Sequence, residues 1–376
     1  MSARRPVLVV FGTRPEAIKL APVIAALAAT RTLVPRVCVT GQHREMLDQM
    51  LRLFDIRPHH DLAVMQPAQD LFDLTARTLV GLRAVLTAEQ PAAVLVQGDT
   101  TTTMTAAIAA FYQQIPVGHV EAGLRTGDAR DPFPEEMNRR LTTQLTTWHY
   151  APTARAEANL RREGVPPQGI LVTGNTIVDA LQSVVARLAR TPAACPPALT
   201  PEHLDGRRLV LVTGHRRESF GEGLRNVCLA LRDLAERHAD ALIVYPVHLN
   251  PSVQGPVREL LAGQPRIVLT APLDYLPFVD VMRRAYLILT DSGGLQEEAP
   301  SLGVPVLVMR ETTERPEALA AGTAVLVGTR REAIVAAASH LLTDPAAHAR
   351  MRAARNPFGD GAAAPRIAAH LEAALA

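Results

Sequence analysis

The chain has 376 residues, 48% of them hydrophobic and 20% charged, with a formal net charge of +2. That length suits two domains with a core each, and the near-neutral balance gives no footing to a nucleic-acid or polyanion partner. Three cysteines, Cys38, Cys195 and Cys228, stand far apart without CxxC spacing, which argues against a disulfide framework or a zinc site and fits a reducing, cytoplasmic setting.

The first apolar run, Val7–Phe11, is too short for the core of a signal sequence, and nothing later approaches a membrane span. It reads as a buried strand. Gly12-Thr13-Arg14-Pro15-Glu16 then opens a helix, with Thr13 and Glu16 at capping-box spacing and Pro15 in the first turn. Arg14 and Lys19 therefore fall at the carboxyl end of the first strand, where solvated surface charge and anion contact are both open readings. Lys19 has a further distinction: of 39 basic residues, every other one is arginine. A compact ammonium kept among guanidinium groups hints at a tight site, because the two are not exchangeable there.

Arg36–Thr40 is the second strand, followed by Gly41-Gln42-His43-Arg44 and a helix to about Phe54. The spacing of Leu71, Leu74, Thr78, Leu82 and Val85 predicts a helix over 70–89, and Ala93–Val96 is the next strand. Gln97-Gly98-Asp99 then leads into Thr100–Thr103. Four threonines are poor helix interior and poor core, so the stretch is expected to be a polar turn, with a simple N-cap as the plain reading of Asp99. Strand Pro116–Val120 runs into Glu121-Ala122-Gly123-Leu124-Arg125, and a polar loop over 126–134 precedes Glu135-Glu136-Met137-Asn138-Arg139. Asp99, Glu121 and Glu135 are thus expected on one rim, an arrangement for proton chemistry or for stabilising positive charge. A metal site is the competing chemistry, with His119 and Glu121 two apart on one strand face. The want of further ligand spacing argues against it.

Strand Ile170–Thr173 leads through Gly174-Asn175 to a helix ending near Arg190, and the Pro-rich stretch 191–201 reads as an exposed connector. A second βα series follows, with strands at Arg208–Thr213, Ala241–Tyr245, Arg266–Thr270, the run from Ala285 and Pro305–Met309. His215, flanked by glycine and two arginines, is expected to face a ligand. Phe278 is either core or a flat face for a base, and Arg315 has a plain reading as a salt bridge to Glu311 or Glu314. At Asp291-Ser292-Gly293-Gly294 a strand feeds a helix through paired glycines, which suits a phosphate; Glu298 beyond it suits a ribose diol. The bland reading is an ordinary Gly-rich βα turn. Alternation of strand and helix over both halves predicts an α/β fold of two doubly wound, Rossmann-like domains facing across a cleft, with ligands at the carboxyl edges of the strands.

In sequence, Phe11-Gly-Thr-Arg-Pro-Glu-Ala-Ile-Lys19, Gly98-Asp-Thr-Thr-Thr-Thr103, His119-Val-Glu-Ala-Gly-Leu-Arg125, Thr213-Gly-His-Arg-Arg-Glu218, Asp291-Ser-Gly-Gly294 with Glu297-Glu298, and Glu314-Arg-Pro316 closely resemble the non-hydrolysing UDP-N-acetylglucosamine 2-epimerases of bacteria. The resemblance runs from about Val7 to Gly361. It implies a glycosyltransferase B type fold: a first domain over 1–172, a UDP-binding domain over 173–360, and a last helix over 361–376 returning to the first. It also implies a homodimer that interconverts UDP-N-acetylglucosamine and UDP-N-acetylmannosamine for surface polysaccharides, with no redox cofactor, required metal, nucleic acid or membrane partner.

The chemistry follows from that substrate. The hydrogen at sugar C2 is not next to a carbonyl, so direct abstraction gives an unstabilised carbanion. Breaking C1–O first places positive charge at C1, acidifies C2 and allows elimination to 2-acetamidoglucal and UDP, which adds back after protonation from the other face. By the resemblance, Asp99, Glu121 and Glu135 exchange the C2 proton and stabilise the cation, without an assignment of faces, and His215 contacts the leaving phosphate. Arg14, Lys19, Ser292, Gly293 and Gly294 hold the diphosphate, Glu298 the ribose, Phe278 lies by the uracil and Arg315 aids phosphate or sugar binding. Gln42, Gln69, Glu136, Arg216 and His248 match an activating second substrate site of some members, although Glu45 and Ala68 depart from the Gln and Arg of strongly regulated ones. A glycosyltransferase using a UDP-sugar donor and a hydrolysing 2-epimerase are the alternatives.

Overall fold

The apolar runs become the inner strands of two parallel sheets. The computed structural model describes residues 4–41, 44–66, 68–193, 199, 206–216 and 220–376. They form two compact units, Met1–Ser183 with Phe358–Ala376, and Val184–Pro357. Among the described residues the first unit holds a seven-stranded sheet in the order β3-β2-β1-β4-β5-β6-β7. Its strands are β1 (Arg5–Phe11), β2 (Leu33–Val39), β3 (His60–Asp61), β4 (Ala93–Gln97), β5 (Val117–Val120), β6 (Trp148–Ala151) and β7 (Ile170–Val172). Val7 through Phe11 are fully buried, as a central parallel strand covered by helices on both faces must be. All pairings are parallel, with Val9 opposite Leu95 and Gln97 opposite Val120, so the segments after β1, β4 and β5 emerge at one edge.

The second unit holds a six-stranded sheet in the order β10-β9-β8-β11-β12-β13: β8 (Arg208–Thr213), β9 (Ala241–Pro246), β10 (Ile267–Thr270), β11 (Leu287–Thr290), β12 (Val306–Val308) and β13 (Ala324–Leu326). Its core packs Val210, Val212, Tyr245 and Leu289 against Val227, Leu231 and Leu234 of the helix Glu222–Arg237. The strand order reverses beside β8 and β11, and at such a switch point the loops diverge and leave a crevice. Both sheets are thus doubly wound and Rossmann-like, as the alternation of elements predicts. No described helix is long and apolar enough to cross a membrane.

Two sequence expectations fail in instructive ways. Thr101–Thr103 are not a turn but the first residues of the helix Thr101–Tyr112, and all three are buried; Thr100, not Asp99, is its N-cap, accepting from the Thr103 N–H at 3.1 Å. The fully buried hydroxyls of Thr102 and Thr103 meet the Thr40 hydroxyl and the Gln97 carbonyl, so their burial leaves no unpaired polar group. The apolar-run criterion also offers nothing at strand β6, where Trp148-His149-Tyr150 breaks the aliphatic pattern, yet β6 pairs with both β5 and β7. The Pro-rich connector lies, apart from 191–193 and Leu199, outside the described residues.

The helix Ala363–Ala374 closes the first unit. Glu372 accepts from the Arg31 and Thr32 N–H groups, each at 2.9 Å, and His370 meets Tyr150 at 3.2 Å. At the same edge Arg5 donates to the carbonyls of Leu375 and Ala376.

Candidate active site

In the first unit the site begins where β5 stops. Glu121 directly follows the strand with a φ of +66°, an uncommon backbone state for a residue with a side chain, held only where surrounding contacts over-determine it. Those contacts converge on its carboxylate. Lys19 forms an ion pair with Oε1, Asn175 donates to the same oxygen at 2.8 Å, and Gln97 donates to Oε2 at 2.5 Å. The left-handed turn also ends the alternation that set His119 and Glu121 on one strand face. His119 is fully buried, with Nε2 2.7 Å from the Gly98 carbonyl. Burial pushes its pKa down to about 3, so the ring is neutral and Nε2 donates. Among the described residues no group of three His, Cys, Asp or Glu side chains is set to hold a metal.

Asp99 sits in the turn between β4 and the helix Thr101–Tyr112. Arg139 donates to its Oδ2 at 2.6 Å, and Asn138 donates to its backbone carbonyl at 2.9 Å. Burial raises the Asp99 carboxyl above its ordinary range; Arg139 and Lys19 oppose the shift, while the negative charges of Glu121 and Glu135 add to it. Glu135 opens the helix Glu135–Leu145 and is half-buried. Its neighbour Glu136 is fully buried and engages Arg140 at 2.8 Å, Arg139 at 3.4 Å and the Thr126 N–H at 3.1 Å.

Sequence reasoning missed Asn138, Arg139, Gln97 and Asn175. For the first two a signal existed, since three and four residues past Glu135 on a helix means the same face. Gln97 and Asn175 are polar residues at strand ends, and only the tertiary fold shows their convergence on Glu121. Arg14 is half-buried at the start of its helix. The side-chain oxygen of Gln69 accepts from the Gln66 N–H at 3.0 Å and from Arg77 at 3.4 Å. Gln42 is outside the described residues.

In the second unit Asp291 organises the corresponding edge. Its Oδ2 accepts from the backbone N–H groups of His215 and Arg216 at 2.6 and 2.7 Å, and its Oδ1 lies 3.1 Å from His215 Nδ1. Burial alone would raise this carboxyl, but the His215 side chain and the two backbone donors hold it below the ordinary range. His215 keeps 41% of its side chain exposed and stacks on His248 with ring centroids 5.6 Å apart. The imidazole is thus fixed from one side and open on the other. Burial, then the charge of His215, lowers the His248 pKa.

Ser292, Gly293 and Gly294 follow Asp291, with Ser292 as N-cap of the short helix Gly293–Glu298. Gly293 leaves room for Arg315: a Cβ there would lie 3.9 Å from the guanidinium carbon. Arg315 pairs with Glu314 at 3.6 Å, one of the two expected partners, and also with Glu297, which was not expected. Glu298 is buried and accepts from the Tyr275 hydroxyl at 2.8 Å. Tyr275 opens the helix Tyr275–Arg284, which also carries half-buried Phe278. A helix start, a guanidinium, an imidazole and a carboxylate, with an aromatic ring on the neighbouring helix, supply groups for a nucleoside diphosphate.

The sequence matches the family model for UDP-N-acetylglucosamine 2-epimerase over residues 25–372. It is 57% identical over 374 residues to a probable UDP-N-acetylglucosamine 2-epimerase of Ralstonia solanacearum, covering 99% of this chain and 100% of that protein. To the UDP-N-acetylglucosamine 2-epimerase of Yersinia pestis it is 57% identical over 363 residues, 96% of each chain. Among solved structures, the UDP-GlcNAc 2-epimerase of Neisseria meningitidis bound to UDP-GlcNAc matches with a TM-score of 0.90 at 47% identity, covering 98% of this chain and 100% of that one.

Proposed function

The chain belongs to the UDP-N-acetylglucosamine 2-epimerase family, and from that premise we propose that it reversibly inverts C2 of UDP-N-acetylglucosamine to give UDP-N-acetylmannosamine. The C1–O bond breaks with its electron pair leaving on UDP, a carboxylate takes the C2 proton, and a C1–C2 double bond forms. Protonation of C2 from the other face and return of the phosphate oxygen to C1 complete the inversion. The sequence is redox-neutral, so no oxidant takes part.

The observation that carries this reading is the acidic rim of Asp99, Glu121 and Glu135. Three donors converge on the Glu121 side chain, which fixes it in place to stabilise positive charge at C1. Asp99, with its raised pKa, and Glu135 are left to exchange the proton on the two faces of C2. Lys19 pairs with Glu121 and adds positive potential for the departing diphosphate. Arg14, Ser292, Gly293 and Gly294 are assigned to the diphosphate, Arg315 to phosphate or sugar binding, Glu298 to the ribose, Phe278 to the uracil and His215 to the leaving phosphate. Arg216 and His248, beside His215, together with Gln42, Gln69 and Glu136 are proposed as the activating second site. Rate curves that stay hyperbolic and unchanged by traces of UDP-N-acetylglucosamine would remove that last assignment.

A homodimer is part of the proposal. Phe72, 84% exposed, and Val80 are exposed apolar residues of the helix Leu71–Glu89, and exposed Phe111 and Tyr112 end the helix packed beside it. The two described cysteines, Cys38 and Cys228, are free and buried, in keeping with a cytoplasmic setting. Incubation with UDP-N-acetylglucosamine in D2O tests the reaction. Deuterium at C2 of both sugars is expected. A transferase leaves C2 unlabelled, and a hydrolysing epimerase releases free N-acetylmannosamine.

A further inference from the structure

Glu16 is a carboxylate buried to 1% exposure in the first turn of the helix Arg14–Ala29. Its Oε2 accepts from the Gly12 and Thr13 N–H groups at 3.0 and 2.8 Å, which is all that capping the helix requires. The other oxygen serves a different element. Oε1 accepts from the Thr100 hydroxyl at 2.7 Å and lies 3.2 Å from that of Thr103. None of these four partners is a cation, and burial pushes the Glu16 pKa up. A cap alone is as well made by a carboxylate left in water, without this desolvation.

What the second oxygen gains is a link. Thr100 directly follows Asp99 and starts its helix, while the Thr103 hydroxyl also reaches the carbonyl of Gln97 at 2.6 Å. Gln97 in turn donates to Glu121. On the other side, Lys19 stands three residues past Glu16 on the same helical face and pairs with Glu121. We propose that Glu16 is a positioning residue for the epimerisation, its carboxylate fixing the turn that carries Asp99 against the helix that carries Lys19. The inference rests on the functional reading above and adds a group that touches neither substrate nor proton.

Thr100→Val removes the shorter arm of the link and leaves the Glu16 cap of the helix Arg14–Ala29 in place, but also loses the Thr100 cap of the helix Thr101–Tyr112; Thr100→Ser restores the hydroxyl for both, and Glu16→Ala breaks the link with the Thr100 cap kept. Thr100→Val is expected to lower kcat by about tenfold to a hundredfold, the cost of misplacing a reacting group by a fraction of an ångström or more. It should also shift the acid limb of the kcat–pH profile while leaving the Kd for UDP within about twofold of the wild type. Thr100→Ser should recover most of kcat and the original profile. Glu16→Ala is expected to match or exceed the Thr100→Val loss; should it fail to fold, the threonine pair decides. Wild-type kcat and pH profile in Thr100→Val would overturn the inference while the epimerase reading stands. So would losses in Thr100→Val and Thr100→Ser that simply follow a falling Tm. A wild-type chain that never labels C2 in D2O would overturn the functional reading first and this one with it.

Discussion

Lys19 and Glu121 form an ion pair of which both members are largely buried, so the one ammonium in the chain stands where its shape matters. Lys19→Arg keeps the charge but brings a planar fork into a space fitted to a point charge; steady-state kinetics should show kcat/KM falling about tenfold or more on the scale of a misplaced group, and wild-type values would reduce the lone lysine to chance. Asp99→Asn is expected to cut kcat by about a hundredfold or more, as for a lost acid–base group, and Glu121→Gln by about as much, as for lost stabilisation of charge at C1, each with UDP binding retained. His119 gives a pH prediction whose sign is fixed. Its folded pKa, about 3, lies below the ordinary value of 6.5, so between those values the unfolded chain binds the extra proton and stability falls as pH falls. His119→Gln should flatten the decline of Tm from pH 6.5 downward; an unchanged slope would remove the assignment. Asp99, Glu121 and Glu135 were legible because each stands where an apolar run breaks or a helix begins. Arg139, Asn175 and Tyr275 were not, since nothing local distinguishes a polar residue aimed at a distant carboxylate from one in water.

The elements were legible wherever one physical signal dominated. Strand Arg208–Thr213 was read to the residue, because a continuous apolar run has one stable use in a doubly wound sheet. The helix Leu71–Glu89 was set by its buried face, Leu74, Thr78, Leu82 and Val85, though Leu71 itself is exposed. Its N-cap, Asp70, accepts from the Asp73 N–H at 2.9 Å, and Asp70→Ala should cost about 1 kcal/mol in urea denaturation. The threonine run failed as a reading because helix propensity counts only local competition. Here Glu16, Thr40 and the Gln97 carbonyl meet the hydroxyls. Close approach decides a second case. Gly123 has a φ of +90°, and a Cβ on it would come within 2.4 Å of the Ala156 carbonyl oxygen. Gly123→Ala is expected to destabilise the first unit by about 1–3 kcal/mol, and an unshifted denaturation midpoint would show that the helix Ala154–Arg162 yields freely.

For the whole molecule, the exposed apolar residues Phe72, Val80, Phe111 and Tyr112 bear on assembly. Replacing Phe111 and Tyr112 by serine should shift light-scattering mass from dimer towards monomer. A wild-type mass of one chain would end the dimer proposal. The path of the chain has a different consequence. The first unit takes its strands from the amino-terminal half but its closing helix from Phe358–Ala376, so during synthesis it waits, one layer short, while the entire second unit leaves the ribosome. Until then Tyr150 and the edge near Arg31 lack their cover of His370 and Glu372, and a chaperone has a defined interval in which to act. The same geometry brings Arg5 within 2.9 Å of the Ala376 carbonyl, so a short peptide joining the ends, with new ends opened near Thr191, should yield a permuted chain in which that interval disappears.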